Sequence, residues 1–157
     1  MLRSAIRSRT SREGGCAIEP LVRQYEIRAN DFTHAGEASS SMKKSLSRLG
    51  VKAEVIKRAA IAMYEAEINA VIHGHGGMAE VTVFPEKVVI VIEDHGPGIP
   101  DLDQAMVAGW STAPDIAREM GFGAGMGLPN IKKNCDELKI DTKVGEGTKV
   151  TMEVRFT

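Results

Sequence analysis

Cysteine is scarce in this sequence: Cys16 and Cys135 are the two that occur, and their spacing fits neither a disulfide framework nor a zinc site. Two isolated thiols are typical of a reducing cytosol, where we expect both to be inert. Positive charge is not in excess either, because 20 lysine and arginine residues stand against 21 acidic residues. A nucleic acid partner is therefore not expected, since binding a phosphate backbone requires a surplus of positive charge.

The sequence also lacks an apolar run long enough to cross a bilayer, and its first residues lack the apolar stretch of a secretory signal. These absences predict a cytoplasmic protein with no membrane partner. Residues 1–19 carry Arg3, Arg7, Arg9 and Arg12 among serine, threonine and glycine, a composition that predicts a disordered basic tail. A docking arm or a targeting segment is the alternative use of these residues.

The remainder of the chain, residues 20–157, is long enough for one domain, and 43% of the sequence is hydrophobic. Its patterning predicts the order β-α-α-β-β-loop-α-β-β. The first strand is expected at a sheet edge, and the first helix is expected to begin near serines that can cap it and to end at Gly50. Gly74, Gly76 and Gly77 are expected to end the second helix. The predicted strands cover residues 21–27, 79–84, 87–93, 138–144 and 148–156, and the predicted helices cover residues 39–49, 51–73 and 128–135.

This order of elements argues against a doubly wound parallel sheet, which requires a succession of β-α-β units. The expected fold class is instead α+β, a two-layer α/β sandwich. Its sheet would be mixed but mainly antiparallel, with the helices on one face.

The long second helix carries Glu65 and Asn69 four residues apart, which places both side chains on one helix face. Glu67 points elsewhere. A carboxamide oxygen is a suitable Mg²⁺ ligand, and a nearby carboxylate can accept a proton from an attacking hydroxyl. An ordinary solvated helix face is the alternative interpretation of this pair.

A second polar segment, residues 93–99, follows a strand that is patterned for burial and includes Asp94, Gly96, Gly98 and Ile99. Its glycines would let the backbone approach a planar ligand, while the Asp94 carboxylate could accept a hydrogen bond from an exocyclic amine. The alternative is a simple turn that ends the strand.

Residues 121–128 are rich in glycine and lead into a predicted helix, whose free N–H groups and dipole favour phosphate oxygens. No lysine follows as in a P-loop, and the segment does not follow a strand as a dinucleotide-binding motif does. A flexible hinge is the alternative interpretation.

Further along, Thr148 follows Gly147 at the start of a strand. Its hydroxyl could share a water with Asp94, although a hairpin turn explains that position equally well.

These four segments in this order resemble the N, G1, G2 and G3 boxes of the GHKL ATPases, and the resemblance covers about residues 21–157. The sequence EAEINAVIHG at residues 65–74 is most similar to the N box of the small anti-sigma-factor serine kinases and switch kinases. The resemblance implies a Bergerat ATP-binding fold with ATP and Mg²⁺ as cofactors.

The resemblance also implies roles for individual residues. Glu65 would be the catalytic general base, Asn69 would coordinate Mg²⁺, and Asp94 would hold the adenine amine. Thr148 would support Asp94 through a water. The residues implied to bind the nucleotide are Asn69, Asp94, Gly96, Gly98, Ile99, Gly123, Gly125, Met126, Gly127, Leu128 and Thr148.

The function that follows is that of an anti-sigma regulatory factor that phosphorylates a serine or threonine on a small anti-anti-sigma (STAS-type) protein. A sigma factor is the other expected partner, and a homodimer is left open. One departure favours the alternative, a non-catalytic protein that sequesters a sigma factor under nucleotide control. Some of these kinases carry an arginine near the last glycines of the lid, where this chain has Gly123 and Ala124.

Overall fold

The computed structural model describes residues 18–107, 109 and 127–157. Its elements follow the predicted order, with bounds within a few residues of those expected and one further short helix in the long loop. Residues 1–17 of the predicted basic tail lie outside the described residues. The elements are β1 (Leu21–Arg28), α1 (Glu37–Arg48), α2 (Ala53–Ile72), β2 (Gly76–Val83), β3 (Lys87–Asp94), α3 (Leu102–Ala105), α4 (Gly127–Asn134), β4 (Glu137–Lys143) and β5 (Gly147–Arg155).

The strands form one five-stranded sheet in the order β1-β2-β3-β5-β4. Each of the four pairings between these strands is antiparallel, so the expectation of a mainly antiparallel sheet is confirmed. The prediction that the first strand lies at an edge is also confirmed, because β1 pairs with β2 on one side alone. Because β5 lies between β3 and β4, the start of β5 lies beside the last residues of both β3 and β4.

The core lies between the sheet and α2, which contacts strands β1, β2, β3 and β5. Alternate residues of β3 point inward, and Val88, Ile90 and Ile92 are buried while the residues between them are partly exposed. Helix α2 contributes Ala59, Ala62, Met63 and Ala66 to the same layer. Helices α1 and α4 pack against α2, which completes the helical layer on one face of the sheet. The two-layer arrangement is therefore as expected.

The N-terminus of α1 is capped by Glu67 of α2 and not, as the sequence suggested, by a serine. Gly36 is the N-cap residue in a left-handed conformation and has no side chain to offer. The Glu67 carboxylate, 3% exposed, accepts hydrogen bonds from the backbone N–H groups of Gly36 at 2.9 Å, Ala38 at 3.2 Å and Ser39 at 3.1 Å. A carboxylate satisfies these donors and interacts favourably with the helix dipole. Glu67 therefore joins α1 to α2.

The end of α2 differs from the expectation that Gly74, Gly76 and Gly77 all belong to it. The helix ends at Ile72, and the N–H of Gly74 still donates to the carbonyl oxygens of Asn69 and Ala70. Gly76 and Gly77 belong to β2, where Gly76 has a φ of +80°. A β carbon on Gly76 would lie 2.6 Å from the Ile27 oxygen, so its lack of a side chain lets β1 and β2 approach each other.

No helix within the described ranges has the length and apolarity needed to cross a membrane.

Candidate functional site

Helix α2 presents Glu65 and Asn69 to the first residue of α4. A β carbon placed on Gly127 would lie 3.2 Å from Asn69 Nδ2, 3.3 Å from Asn69 Oδ1 and 3.3 Å from Glu65 Oε2. Glu65, Asn69 and Gly127, which belong to two separate sequence motifs, are thus neighbours. A carboxylate and an amide oxygen beside a helix N-terminus are the donors that suit Mg²⁺ and a phosphate, so the residues present fit this metal.

Asn130 is a further contact of Glu65 that the sequence motifs did not indicate. Its Nδ2 donates to Glu65 Oε1 at 3.3 Å, and its carbonyl oxygen accepts a hydrogen bond of 2.8 Å from Asn134 Nδ2. Because Asn130 lies three residues after Gly127, both face α2 from the same side of α4. That spacing is the one signal in the sequence that could have identified it.

Asp94 ends β3 with its carboxylate held at one oxygen. Asp94 Oδ1 accepts hydrogen bonds from the backbone N–H groups of Gly96 at 3.0 Å and Thr148 at 3.2 Å. Within the described part of the chain, no group donates a hydrogen bond to Oδ2. The carboxylate is therefore fixed in orientation while one oxygen can accept a hydrogen bond from a bound amine.

Gly74 packs directly against Asp94, although the sequence indicated Gly74 merely as the end of a helix. A β carbon there would lie 2.5 Å from Asp94 Cγ and 2.7 Å from Asp94 Oδ2. Such separations do not occur between non-bonded atoms, so the Asp94 side chain occupies the space that a larger residue would need.

Gly96 and Gly98 allow the loop after β3 to pack closely against the ends of other elements. A β carbon on Gly96 would lie 2.6 Å from the His73 oxygen at the end of α2. Gly98 has a φ of +76°, and a β carbon there would lie 2.5 Å from the Lys143 oxygen at the end of β4. Both glycines therefore shape the backbone around Asp94.

Thr148 lies beside Asp94 at the start of β5 and is 8% exposed. Its hydroxyl is 2.9 Å from the hydroxyl of Thr142 on β4, and Thr142 Oγ1 accepts a hydrogen bond of 2.8 Å from the N–H of Ile99. Thr142 therefore joins Thr148 to Ile99. The sequence motifs indicated Thr148 and Ile99 but not Thr142.

The remaining expected site residues come from the glycine-rich segment. The Leu128 side chain is 7% exposed and belongs to the hydrophobic core, so a contribution from Leu128 to a ligand would come from its backbone. Gly123, Gly125 and Met126 lie outside the described residues.

Two titratable groups near these elements have shifted pKa values. Burial lowers the pKa of His73, and the negative charge of Asp94 opposes this effect, so His73 is neutral at pH 7. Burial raises the pKa of the Cys135 thiol to about 11, which keeps it protonated and agrees with the inert thiol expected there. Across the described residues, no group of three or more histidine, cysteine, aspartate or glutamate side chains could hold a metal ion.

Residues 29–154 match the family described as histidine kinase-like ATPase domain. An anti-sigma F factor from Clostridium novyi is 31% identical over 133 residues, which cover 75% of this chain and 90% of that protein. The serine/threonine-protein kinase RsbT from Bacillus subtilis is 41% identical over 61 residues, covering 39% of this chain and 40% of that protein.

A crystal structure of RsbU and RsbW domains from a Mycobacterium tuberculosis protein shares the fold, with a TM-score of 0.52 at 18% identity. The match covers 88% of this chain and 32% of that one.

Proposed function

The chain belongs to the histidine kinase-like ATPase domain family, and from this premise we propose that it binds ATP with Mg²⁺ and phosphorylates a serine or threonine of a small anti-anti-sigma protein. A sigma factor is the second proposed partner, because the relatives that match most of the chain are anti-sigma F factors. The proposed place of action is the cytoplasm, where ATP and sigma factors are found.

The observation that carries the proposal is the convergence of Glu65 and Asn69 on Gly127 at the start of α4. Helix N-termini favour phosphate groups because their N–H groups are unpaired and their dipole is positive at that end. When bound, Mg²⁺ would neutralise phosphate charge, and Asn69 is the residue that would hold it.

Asp94 and its surroundings support recognition of the base. With Oδ1 occupied by the N–H groups of Gly96 and Thr148, Oδ2 remains to accept a hydrogen bond from the exocyclic amine of adenine. The Asp94 carboxylate is oriented before any ligand arrives, so little conformational freedom is lost on binding.

Glu65 is the proposed general base of the transfer. Asn130 holds Oε1, while Oε2 lies toward Gly127. In the proposed step, the partner's hydroxyl oxygen forms a bond to the γ-phosphorus as the bond from that phosphorus to the bridging oxygen breaks. The hydroxyl proton goes to Glu65 Oε2, and ADP leaves.

The test is transfer of label from γ-labelled ATP to an anti-anti-sigma protein, comparing wild type with Glu65→Gln. We expect Glu65→Gln to bind ATP with wild-type affinity and to transfer phosphate at least about 100-fold more slowly, the usual effect of losing a general base. Glu54→Gln, on the exposed first turn of the same helix, is the matched control and should be fully active.

Equal transfer by wild type and Glu65→Gln would contradict the role of Glu65. Tight ATP binding by wild type with no phosphate transfer to any such partner would contradict the proposed kinase activity. It would favour the nucleotide-controlled sigma-factor binder that the missing lid arginine suggests.

A further inference from the structure

Thr142 is the cross-strand partner of Thr148, and neither the motifs nor the proposed mechanism gives it a role. The two threonines are directly opposite each other in the pairing of β4 with β5. Their hydroxyl oxygens are 2.9 Å apart, and the same Thr142 oxygen accepts the Ile99 N–H at 2.8 Å. One hydroxyl therefore connects the loop after β3 to the start of β5, on both sides of Asp94.

Thr142 takes part in three hydrogen bonds. A threonine hydroxyl has one proton to donate and two lone pairs with which to accept. One lone pair of Thr142 accepts the Ile99 N–H. Its hydroxyl also lies 3.4 Å from the Gly147 oxygen, which can only accept, and 2.9 Å from Thr148 Oγ1, where either threonine can be the donor. Thr142 therefore fixes the position of the Thr148 hydroxyl relative to the loop after β3.

Resting on the proposed function, we propose that Thr142 is a positioning residue for nucleobase recognition. It holds the Thr148 hydroxyl beside Asp94, where this hydroxyl can form a hydrogen bond with the base or with a bound water. Through Ile99 it also holds the loop of residues 95–99, which forms the other side of Asp94. Thr142 therefore acts on the selection of adenine through Thr148 and Ile99, without touching the nucleotide.

The proposal separates base recognition from phosphate transfer. Glu65 and Asn69 lie on α2 and face α4, and neither shares a hydrogen bond with Thr142. Removing the Thr142 hydroxyl should accordingly raise the KM for ATP and leave kcat unchanged. A merely structural role would instead lower the amount of folded protein and with it the apparent kcat.

The experiment measures the Kd for ATP and for GTP by calorimetry in the presence of Mg²⁺, using full-length wild type, Thr142→Val and Thr142→Ser. Valine keeps the shape and removes the hydroxyl, while serine restores the hydroxyl. We expect Thr142→Val to bind ATP about tenfold more weakly, the effect of losing one partly buried hydrogen-bond partner, with a reduced preference for ATP over GTP. Thr142→Ser should stay within about threefold of wild type.

The matched control is Thr151→Val on β5, which removes a threonine hydroxyl from the outer face of the sheet and should change neither Kd. The hydrogen exchange of the Ile99 amide in wild type provides a second measurement, which does not depend on whether the variants fold. Exchange should be slow and should slow further with ATP, because this N–H is bonded to Thr142.

Three results would overturn the inference: wild-type affinity and base preference in Thr142→Val, a serine variant as weak as the valine variant, or an Ile99 amide that exchanges at an unprotected rate. Failure of wild type itself to bind ATP would instead overturn the proposed function, and the inference with it.

Discussion

Gly74 and Asp94 are in direct contact, and no atom larger than hydrogen fits between them. A β carbon on Gly74 would be 2.5 Å from Asp94 Cγ and 2.6 Å from Asp94 Cβ. Gly74 follows α2 by two residues, and Asp94 is the last residue of β3. This contact therefore ties the end of α2 to the proposed base-binding carboxylate.

Replacing Gly74 by alanine should displace Asp94 and weaken ATP binding by at least about tenfold, because a shifted carboxylate loses hydrogen bonds of the charged type. Calorimetric titration with ATP and Mg²⁺ measures this. The control is Gly50→Ala, whose β carbon would meet nothing within 4 Å but whose φ is +76°. Strain should lower its thermal stability while its Kd stays at the wild-type value. An unchanged Kd in Gly74→Ala would show that Asp94 tolerates the displacement.

Asn69→Ala should abolish Mg²⁺-dependent ATP binding and leave the fold intact. The Asn69 side chain makes no hydrogen bond to another described residue, and alanine is the better helix former. Titrations with and without Mg²⁺, together with a thermal melt, measure both effects. Gln24→Ala, which removes an exposed amide side chain from β1, is the control. If Asn69→Ala retained the Mg²⁺ dependence of wild type, Asn69 would not be the metal ligand.

Glu67→Gln should reduce the free energy of unfolding by about 2–4 kcal/mol, because three N–H groups at the start of α1, two of them in buried hydrogen bonds, lose a charged acceptor and one of the three faces an amide NH₂ group. Urea denaturation measures the loss. Glu37→Gln, an exposed residue in the first turn of the same helix, should cost less than about 1 kcal/mol. Equal losses in the two variants would argue against capping by Glu67.

Asp136 should make the stability of the protein dependent on acid pH. Its pKa is lowered, first because the carboxylate accepts the Arg155 N–H at 2.7 Å and further because Arg58 lies 3.1 Å away. A lowered pKa means that the stabilisation is present above about pH 3.8, the usual value, and is lost as the pH falls through the lower folded-state value. Melting temperatures of wild type and Asp136→Asn should therefore differ at pH 7 and converge as the pH falls through the lowered pKa of Asp136, whereas Asp103→Asn should match wild type throughout. A difference that persisted at low pH would contradict a role for the charge.

The order and type of the elements could be predicted because each depends on local patterns. The buried alternation of Val88, Ile90 and Ile92 predicts β3, and the apolar stripe through Ala59 and Met63 predicts α2. Sequence order does not reveal that β5 pairs with β3, since sequential strands more often lie side by side and here β4 comes between them in the chain.

The family motifs similarly predicted Glu65, Asn69, Asp94 and Thr148, and the structure brings Glu65 and Asn69 to Gly127 and Thr148 to Asp94. The contacts that the sequence missed all depend on register between distant elements. Thr142 matters because it is opposite Thr148, and Glu67 caps α1 because two helices pack at one particular offset. No spacing along the chain indicates either relationship, so the serines next to the helix start were the natural choice for a cap.

The position of β5 between β3 and β4 has a consequence for protein synthesis. Until residues 147–155 leave the ribosome, β3 has no partner on one side, β4 has none at all, and Asp94 lacks the Thr148 N–H that orients it. A nascent chain that carries Asp94 but lacks β5 can therefore neither complete its sheet nor use the Thr148 N–H to orient the Asp94 carboxylate. Assembly of the sheet has to wait until residues 147–155 have been made.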